Sequence, residues 1–226
     1  MSYGQLSLGT PPSVPMKQNK QLFRYGEQSI WSTWMSTTVA IADSNNRLFV
    51  TPLGQVGQGF IRQMSIGETN LKEGGRVPNG VAYDVFGVSA HVMCASAAGD
   101  AVGMDWDQPI NTIAQVENLV NVLNNGVLVW DFTQTQVDIA PINLCGAGGG
   151  VFGTIAAVSN AQVNAGSMNN GPGSVWLYRK HPVALPGSTT FAIVLRFGNR
   201  AAAVDTTSIG VKVTLIGYYK NIIEIG

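Results

Sequence analysis

The chain has 226 residues, enough for one large β domain or two small ones with a sizeable core. Charged residues are 12% of it, about half of the roughly 25% usual in soluble domains, and the formal net charge is zero. So little charge excludes an ordinarily solvated exterior: Asn, Gln, Ser and Thr must cover it or other subunits must bury it, and extensive self-association is the favoured reading.

Residues 1–28 place Pro11, Pro12 and Pro15 among Gly, Ser, Gln and Asn, which predicts an extended N-terminal arm that becomes ordered on a neighbour. Its Lys17, Lys20 and Arg24 stand against Glu27, far short of a polybasic tail, and basic residues elsewhere are scattered. Direct sequence-specific nucleic-acid binding is therefore not expected. MSYGQLSLGTPPSVP has no basic head followed by an apolar block, so no signal peptide is predicted.

Strand-like segments follow. TTVAIA (37–42) and RLFVTP (47–52) flank the turn signal Asp43-Ser44-Asn45-Asn46, and GFIRQMSI (59–66) reads as the next strand. The stretch ETNLKEGGRVPNG (68–80) then gathers Glu68, Lys72, Glu73 and Arg76 before Gly-Gly, a proline and Asn-Gly. A phosphate loop would open a helix and set Lys beside Ser or Thr. Here a strand follows and two carboxylates crowd the segment, so a turn laced by pairs of mixed sign is expected.

VAYDVFGVSAHVMC (81–94) is a long strand with Phe86, Val88, Ala90 and Val92 on one file and Tyr83, Val85, Ser89 and His91 on the other. DQPINTIAQVENLVNVLNNG (107–126) predicts one helix. Asp107 is its N-cap, Pro109 lies in the first turn, Gly126 is its stop, and Ile113, Val116, Val120 and Leu123 form an apolar stripe. GVLVWDF (126–132) puts Leu128, Trp130 and Phe132 on one face, and the switch to Val137 and Ile139 predicts a turn or bulge within Thr133–Gln136. LCGAGGGVFGTIAAV (144–158) is too short and Gly-rich for a membrane-spanning helix. After the polar connection 159–174 come STTFAIVLRFG (188–198), with Phe191, Ile193, Leu195 and Phe197 on one face, and IGVKVTLIGYYKNIIEI (209–225), where Val211, Val213 and Leu215 alternate with Lys212 and Thr214. No internal repeat is present. About eight to ten strands, one inserted helix and an arm predict an all-β single jelly-roll (Greek-key) sandwich over residues 29–226. The alternative is a compact double jelly roll, which needs about sixteen strands.

Catalytic signals are missing. There is no H-E-x-x-H and no G-x-S-x-G, and His91 and His181 are the only histidines. Gly148, Gly150 and Gly153 satisfy G-x-G-x-x-G, but no carboxylate lies between Asp138 and Asp205 to hold a ribose, so a glycine-rich loop is expected. Asp100, Asp105 and Asp107 lack the spacing and closing Glu of a calcium loop. Cys94 and Cys145 read as free buried thiols, with a single bridge as the alternative. No cofactor and no metal are expected, and the chain does not read as an enzyme. Trp31, Trp34, Trp106, Trp130 and Trp176 serve either as core filling or as a sugar-stacking platform. The second option, with the Asn-rich loops, keeps open a carbohydrate- or receptor-binding β-sandwich, lectin-like or part of a virion spike.

In layout, SIGETNLKEGGRVPNGVAYDVFGV (65–88), HPVALPGSTTFAIVLRFG (181–198) and VKVTLIGYY (211–219) resemble the jelly-roll major capsid proteins of tailless icosahedral bacteriophages, over residues 30–220. The resemblance implies an eight-stranded roll of two facing sheets that self-assembles into capsomers and an icosahedral shell, without catalysis. It implies other capsid proteins and an internal membrane as further partners, and a virion location after synthesis in the host cytoplasm. Glu68, Lys72, Glu73 and Arg76 are then the candidates for an assembly interface, where pairs at a rim give specificity more than affinity.

Overall fold

Two long runs with β-branched and aromatic residues pair at one side of the first sheet. Strand β1 (Gln21–Ser36) pairs antiparallel with β11 (Ile209–Glu224) along its whole length, Gln21 opposite Glu224 and Ser36 opposite Ile209. The computed structural model describes residues 21–36, 46–60, 62–94, 113–133, 135–146, 150–156, 163–169, 175–178, 180–197 and 209–224. On the other side of β11 lies β3 (Val81–Cys94), and β3 in turn pairs with β8 (Trp176–Leu177) and β9 (Val183–Leu185). A second sheet runs in the order β2 (Arg47–Leu48), β10 (Phe191–Phe197), β4 (Gly126–Phe132), β5 (Thr135–Pro141). A separate hairpin joins β6 (Gly150–Ala156) to β7 (Val163–Asn169), and helix α1 (Ile113–Asn125) stands between β3 and β4. Every strand pair is antiparallel, and the fold is an all-β sandwich with one short helix.

One apolar cluster fills the space between the sheets. The first sheet supplies Trp34, Val88, Ala90, Val92, Val211, Val213 and Leu215; the second supplies Leu48, Leu128, Trp130, Phe191, Ile193, Leu195 and Phe197. Trp34 meets Phe197 at 6.1 Å between ring centroids, and Phe191 lies 5.7 Å from Phe49 and 6.2 Å from Trp130. Each large side chain so buried contributes about 1.5–3 kcal/mol by removal from water.

The long strands follow the sequence closely. The ranges of β3 and β4 match the sequence segments, and Val211, Val213 and Leu215 face inward while Lys212 and Thr214 are half-buried on the other side. The expected files on β3 are broken, however. Val85 stands opposite Gly217 and Gly87 opposite Ile216, so Phe86 is an extra residue without a partner. This bulge turns the strand over: Tyr83 and Val85 point into the core before it, and Val88, Ala90 and Val92 after it. Phe86 leaves its expected file and packs against Tyr218, 5.0 Å away.

Other expectations are corrected. Residues 21–28, assigned to the arm, are paired in β1 because residues 217–224 offer them a complete ladder; residues 1–20 lie outside the described residues. The strand expected over 47–52 stops at Leu48, since Phe49 takes a left-handed φ of 67° and gives its N–H to Ser32 Oγ at 2.9 Å. Among the described residues of 59–66 no strand forms: Gly59 has φ 79°, Phe60 N–H closes a turn onto Gly57, and Met64 returns to Gln55, so the chain doubles back. In α1 the buried stripe is Leu119, Val122 and Leu123, whereas Val120 is 38% exposed. Its capping candidates Asp107 and Pro109, like the 37–42 strand, lie outside the described residues. Gly126 does end the helix. A Cβ there would sit 2.4 Å from Ile142 Cδ1 and 2.7 Å from the Val122 carbonyl. The β4–β5 turn falls at Thr133 as expected, but the extra residue is Ile139, because Leu128 pairs with Ala140 and Val129 with Asp138. Gly150 and Gly153 sit on β6 within an antiparallel hairpin rather than in a loop, which leaves no strand–helix turn for a dinucleotide.

Candidate functional site

The segment 65–80 divides into two parts with different roles. Its first part begins at Ser65-Ile66-Gly67-Glu68, a single turn in which the N–H groups of Glu68 and Thr69 both donate to the Ser65 carbonyl at 3.0 Å. Ser with Glu three residues on is the capping-box pattern, and here the Glu68 carboxylate accepts from Ser65 N–H at 2.5 Å and from Ser65 Oγ. Arg62 Nη2 completes the set at 2.7 Å. Burial by itself would raise the Glu68 carboxyl, but the hydrogen bonds from Arg62 and Ser65 and the guanidinium charge outweigh it and hold the group below its ordinary value.

From this turn, residues 66–70 run as a strap over the edge of β1 that no described strand pairs. Trp31 Nε1 donates to the Ile66 carbonyl at 2.8 Å, Lys212 Nζ to Gly67 at 2.9 Å, and Thr33 Oγ1 to Glu68 at 2.9 Å. Asn70 then acts as a short piece of strand. Its N–H donates to the Trp31 carbonyl at 3.3 Å, its Oδ1 accepts from Trp31 N–H at 2.9 Å, and its Nδ2 donates to the Ser29 carbonyl at 2.8 Å. An edge strand with open donors and acceptors invites pairing with another chain, and this strap closes it between Ser29 and Thr33. Lys212 also lies 5.4 Å over the Trp31 ring, and across the ladder it faces His91, whose pKa is lowered by burial and then by the Lys212 charge.

The second part is open. Lys72, Glu73 and Arg76 are exposed and line a cavity of about 290 Å³, with walls that include Ile30, Val81 and Phe191. The Gly-Gly pair lets the backbone slip between Val50 and Phe191. A Cβ on Gly74 would meet the Val50 carbonyl at 2.2 Å, while Gly75, at φ 66°, donates to Phe49 at 2.6 Å and accepts from Phe191 at 2.9 Å. The Gly75 amide is thus committed to a protein carbonyl rather than offered to an anion.

The four expected interface residues therefore do not form one cluster. Glu68 is only 2% exposed and pairs with Arg62, and among the described residues no ion pair links it to Lys72 or Arg76, or links Glu73 to either. The expected lacing fails because Glu68 is consumed by its own turn. Sequence reasoning found the segment but not its partners Ser29, Trp31 and Thr33, which lie on another strand. The Ser65–Glu68 spacing was the available signal.

A polar network on the outer face of the second sheet was also missed. Arg47 pairs with Asp131 across β10, and Arg196 reaches Asp138 at 3.1 Å and Gln136 at 2.9 Å. Gln136 closes on Asp131 at 3.3 Å. Cross-strand register puts Val129 and Ala192 on this same face, yet both are buried.

The other candidates separate. Cys145 is free and buried, with its thiol pushed up to about 12 by burial; the Cys94 side chain lies outside the described residues. Trp34 and Trp130 are core residues, Trp130 donating to Tyr178 Oη at 2.8 Å, while Trp31 and Trp176 are half-buried, so these four do not make an exposed sugar platform. Trp106, Asp100, Asp105 and Asp107 lie outside the described residues, among which no group of three His, Cys, Asp or Glu is placed to hold a metal. No family model, no curated protein and no solved structure matches this chain. The functional reading rests on its own residues and topology.

Proposed function

We propose that this chain is a major capsid protein, a single jelly roll that tiles with copies of itself into the icosahedral shell of a tailless bacteriophage. The observation that carries the reading is the order of pairing. With β8 and β9 counted as one interrupted strand, and the β6–β7 hairpin as an insertion, the described residues give the sandwich eight strands. The first pairs with the eighth (β1–β11), the second with the seventh (β2–β10), the third with the sixth (β3–β8/β9), and the fourth with the fifth (β4–β5). That is one long hairpin rolled up, and the roll is closed by β11 on β3 and by β10 on β4. Two interlocked Greek keys give this order. One continuous core favours a single roll over a doubled one.

Surface chemistry supports assembly. The chain combines 12% charged residues with exposed Leu53, Val56, Ile66, Leu177 and Tyr218, a set that a solitary domain leaves in water at a cost. The bacteriophage assignment rests on the sequence layout of 65–88, 181–198 and 211–219.

Electron microscopy of the expressed chain tests the proposal: closed particles or capsomer rings are expected, and a chain that stays monomeric through concentration, salt and pH series defeats it. Arg76→Glu is expected to leave the melting temperature within a few degrees of wild type, because the side chain is exposed, while reducing particle yield about tenfold or more. Normal particle yield from that variant removes Arg76 from the interface.

A further inference from the structure

Arg47, Arg62, Arg196 and Lys220 are engaged by the fold itself, each holding a carboxylate. Lys72 and Arg76 are the contrast. Among the described residues neither has an ion pair or a side-chain hydrogen bond, and both line the same cavity of about 290 Å³.

The fold builds this cavity in advance of any ligand. The first sheet lends it Ile30 of β1, Val81 and Tyr83 of β3 and Tyr219 of β11, and the second sheet lends it Phe191. The loop that carries both cations is tied to that second sheet. Arg76 bridges to Thr190, Val77 N–H donates to the Thr189 carbonyl at 3.1 Å, and the Val77 carbonyl accepts from Ser188 N–H at 3.0 Å. Cations on a backbone already fixed lose little freedom when a ligand arrives.

Two of the polar groups around the space are already satisfied. Tyr83 Oη is taken by the carbonyls of Gln28 and Leu215, and the Asn70 amide by Ser29 and Trp31. The charged side chains left over are two cations, Lys72 and Arg76, and one carboxylate, Glu73, so the lining is positive by one charge. At about 30 Å³ per water the space equals about ten waters, which admits one or two fused rings rather than a long lipid chain.

We infer that this cavity binds a small organic monocarboxylate, with its aromatic body against Ile30, Val81 and Phe191 and its carboxylate held by Lys72 and Arg76. The planar fork of Arg76 matches a carboxylate, and a single surplus positive charge matches a monoanion. A dianion would leave Glu73 as uncompensated negative charge. Binding here requires no second copy, so the site goes beyond the shell proposed above.

The probe for the test is naphthoate, titrated into the full-length chain by calorimetry at low salt. A dissociation constant of about 0.1 mM is expected for a ligand of this size. Acetate has the charge without the rings and naphthalenemethanol the rings without the charge, and each is expected to bind at least about tenfold more weakly. Lys72→Gln/Arg76→Gln is expected to weaken naphthoate about thirtyfold, and Glu73→Gln to tighten it about threefold by removing a like charge. All three side chains are exposed, so melts matching wild type are expected of both variants. No binding of naphthoate by the folded wild-type chain overturns the site. Undiminished binding by the double variant, or weaker binding by Glu73→Gln, overturns the assignment to an anion. Binding by a chain that never forms particles defeats the shell and leaves the cavity standing, and particles whose subunits take no naphthoate do the reverse. If wild type takes none while Lys72→Gln/Arg76→Gln loses its particles, the cavity belongs to a contact with a second copy instead.

Discussion

Deletion of Phe86 is expected to abolish cooperative folding, whereas Phe86→Ala is expected to cost only about 1 kcal/mol. Phe86 is the unpaired residue that lets β3 present Tyr83 and Val85 to the core on one side of it and Val88, Ala90 and Val92 on the other. Side chains alternate with period two, so removing one residue turns one of these sets outward. If the longer set keeps its place, Tyr83 and Val85 are lost from the core, at about 1.5–3 kcal/mol each. Tyr83 also loses its hydroxyl contacts with the carbonyls of Gln28 and Leu215, which secure β1 and β11 around it. A total near 5 kcal/mol equals the whole stability of many domains. In Phe86→Ala the extra residue remains and only the ring contact with Tyr218 is removed. Urea denaturation of the two variants side by side decides the matter: equal midpoints would mean that the bulge does not set the register.

Glu68→Gln is expected to destabilise the fold by about 3 kcal/mol at neutral pH. Its carboxylate is buried and holds Arg62, Ser65 N–H and Ser65 Oγ at once, and the amide cannot accept from all three while its NH₂ group faces donors. Breaking one side of a buried pair costs about 3–5 kcal/mol; Arg62 keeps 27% of its side chain in water, which favours the lower end. The pH dependence follows from the sign of the shift. The folded carboxyl titrates below its ordinary 4.5, so its stabilisation is complete above that value and is lost as pH falls through the folded pKa. His91, also lowered in the fold, weakens stability earlier, as pH drops below 6.5 and the unfolded chain takes up the proton first. Melting temperatures measured from about pH 8 to pH 3 should therefore fall in two stages for wild type, and the lower stage should vanish in Glu68→Gln. An unchanged acid limb in the variant would show that Glu68 is not the group responsible.

What could be read from the sequence follows from the range of the forces involved. Strands β10 and β11 were legible because their alternation is set by one buried face, and Phe191, Ile193 and Leu195 or Val211, Val213 and Leu215 keep it without interruption. The bulge at Phe86 was missed although Gly87, a residue disfavoured inside strands, was its local signal, and the partner Gly217 fixes where the step falls. Of the stripe expected on α1, Leu123 is buried and Val120 is not, because Leu119, Val120 and Val122 are all apolar and packing against the sandwich chose Leu119 and Val122. At the site, the composition of residues 68–80 pointed to the right segment. Local charge counting then paired Glu68 with its sequence neighbours downstream, whereas the carboxylate turned back to Arg62 and Ser65. The role of Asn70 depends on Ser29 and Trp31, and no local pattern announces an amide that completes a distant edge.

The pairing of β1 with β11 has a consequence for timing. A ribosome delivers residues 21–36 long before residues 209–224, so the first sheet lacks its central strand until synthesis has nearly passed Glu224. Contacts so remote in sequence make for slow closure, on the order of milliseconds to seconds. A nascent chain therefore has no finished first sheet before residues 209–224 emerge, and growth of the shell proposed above would draw on subunits that have already closed it.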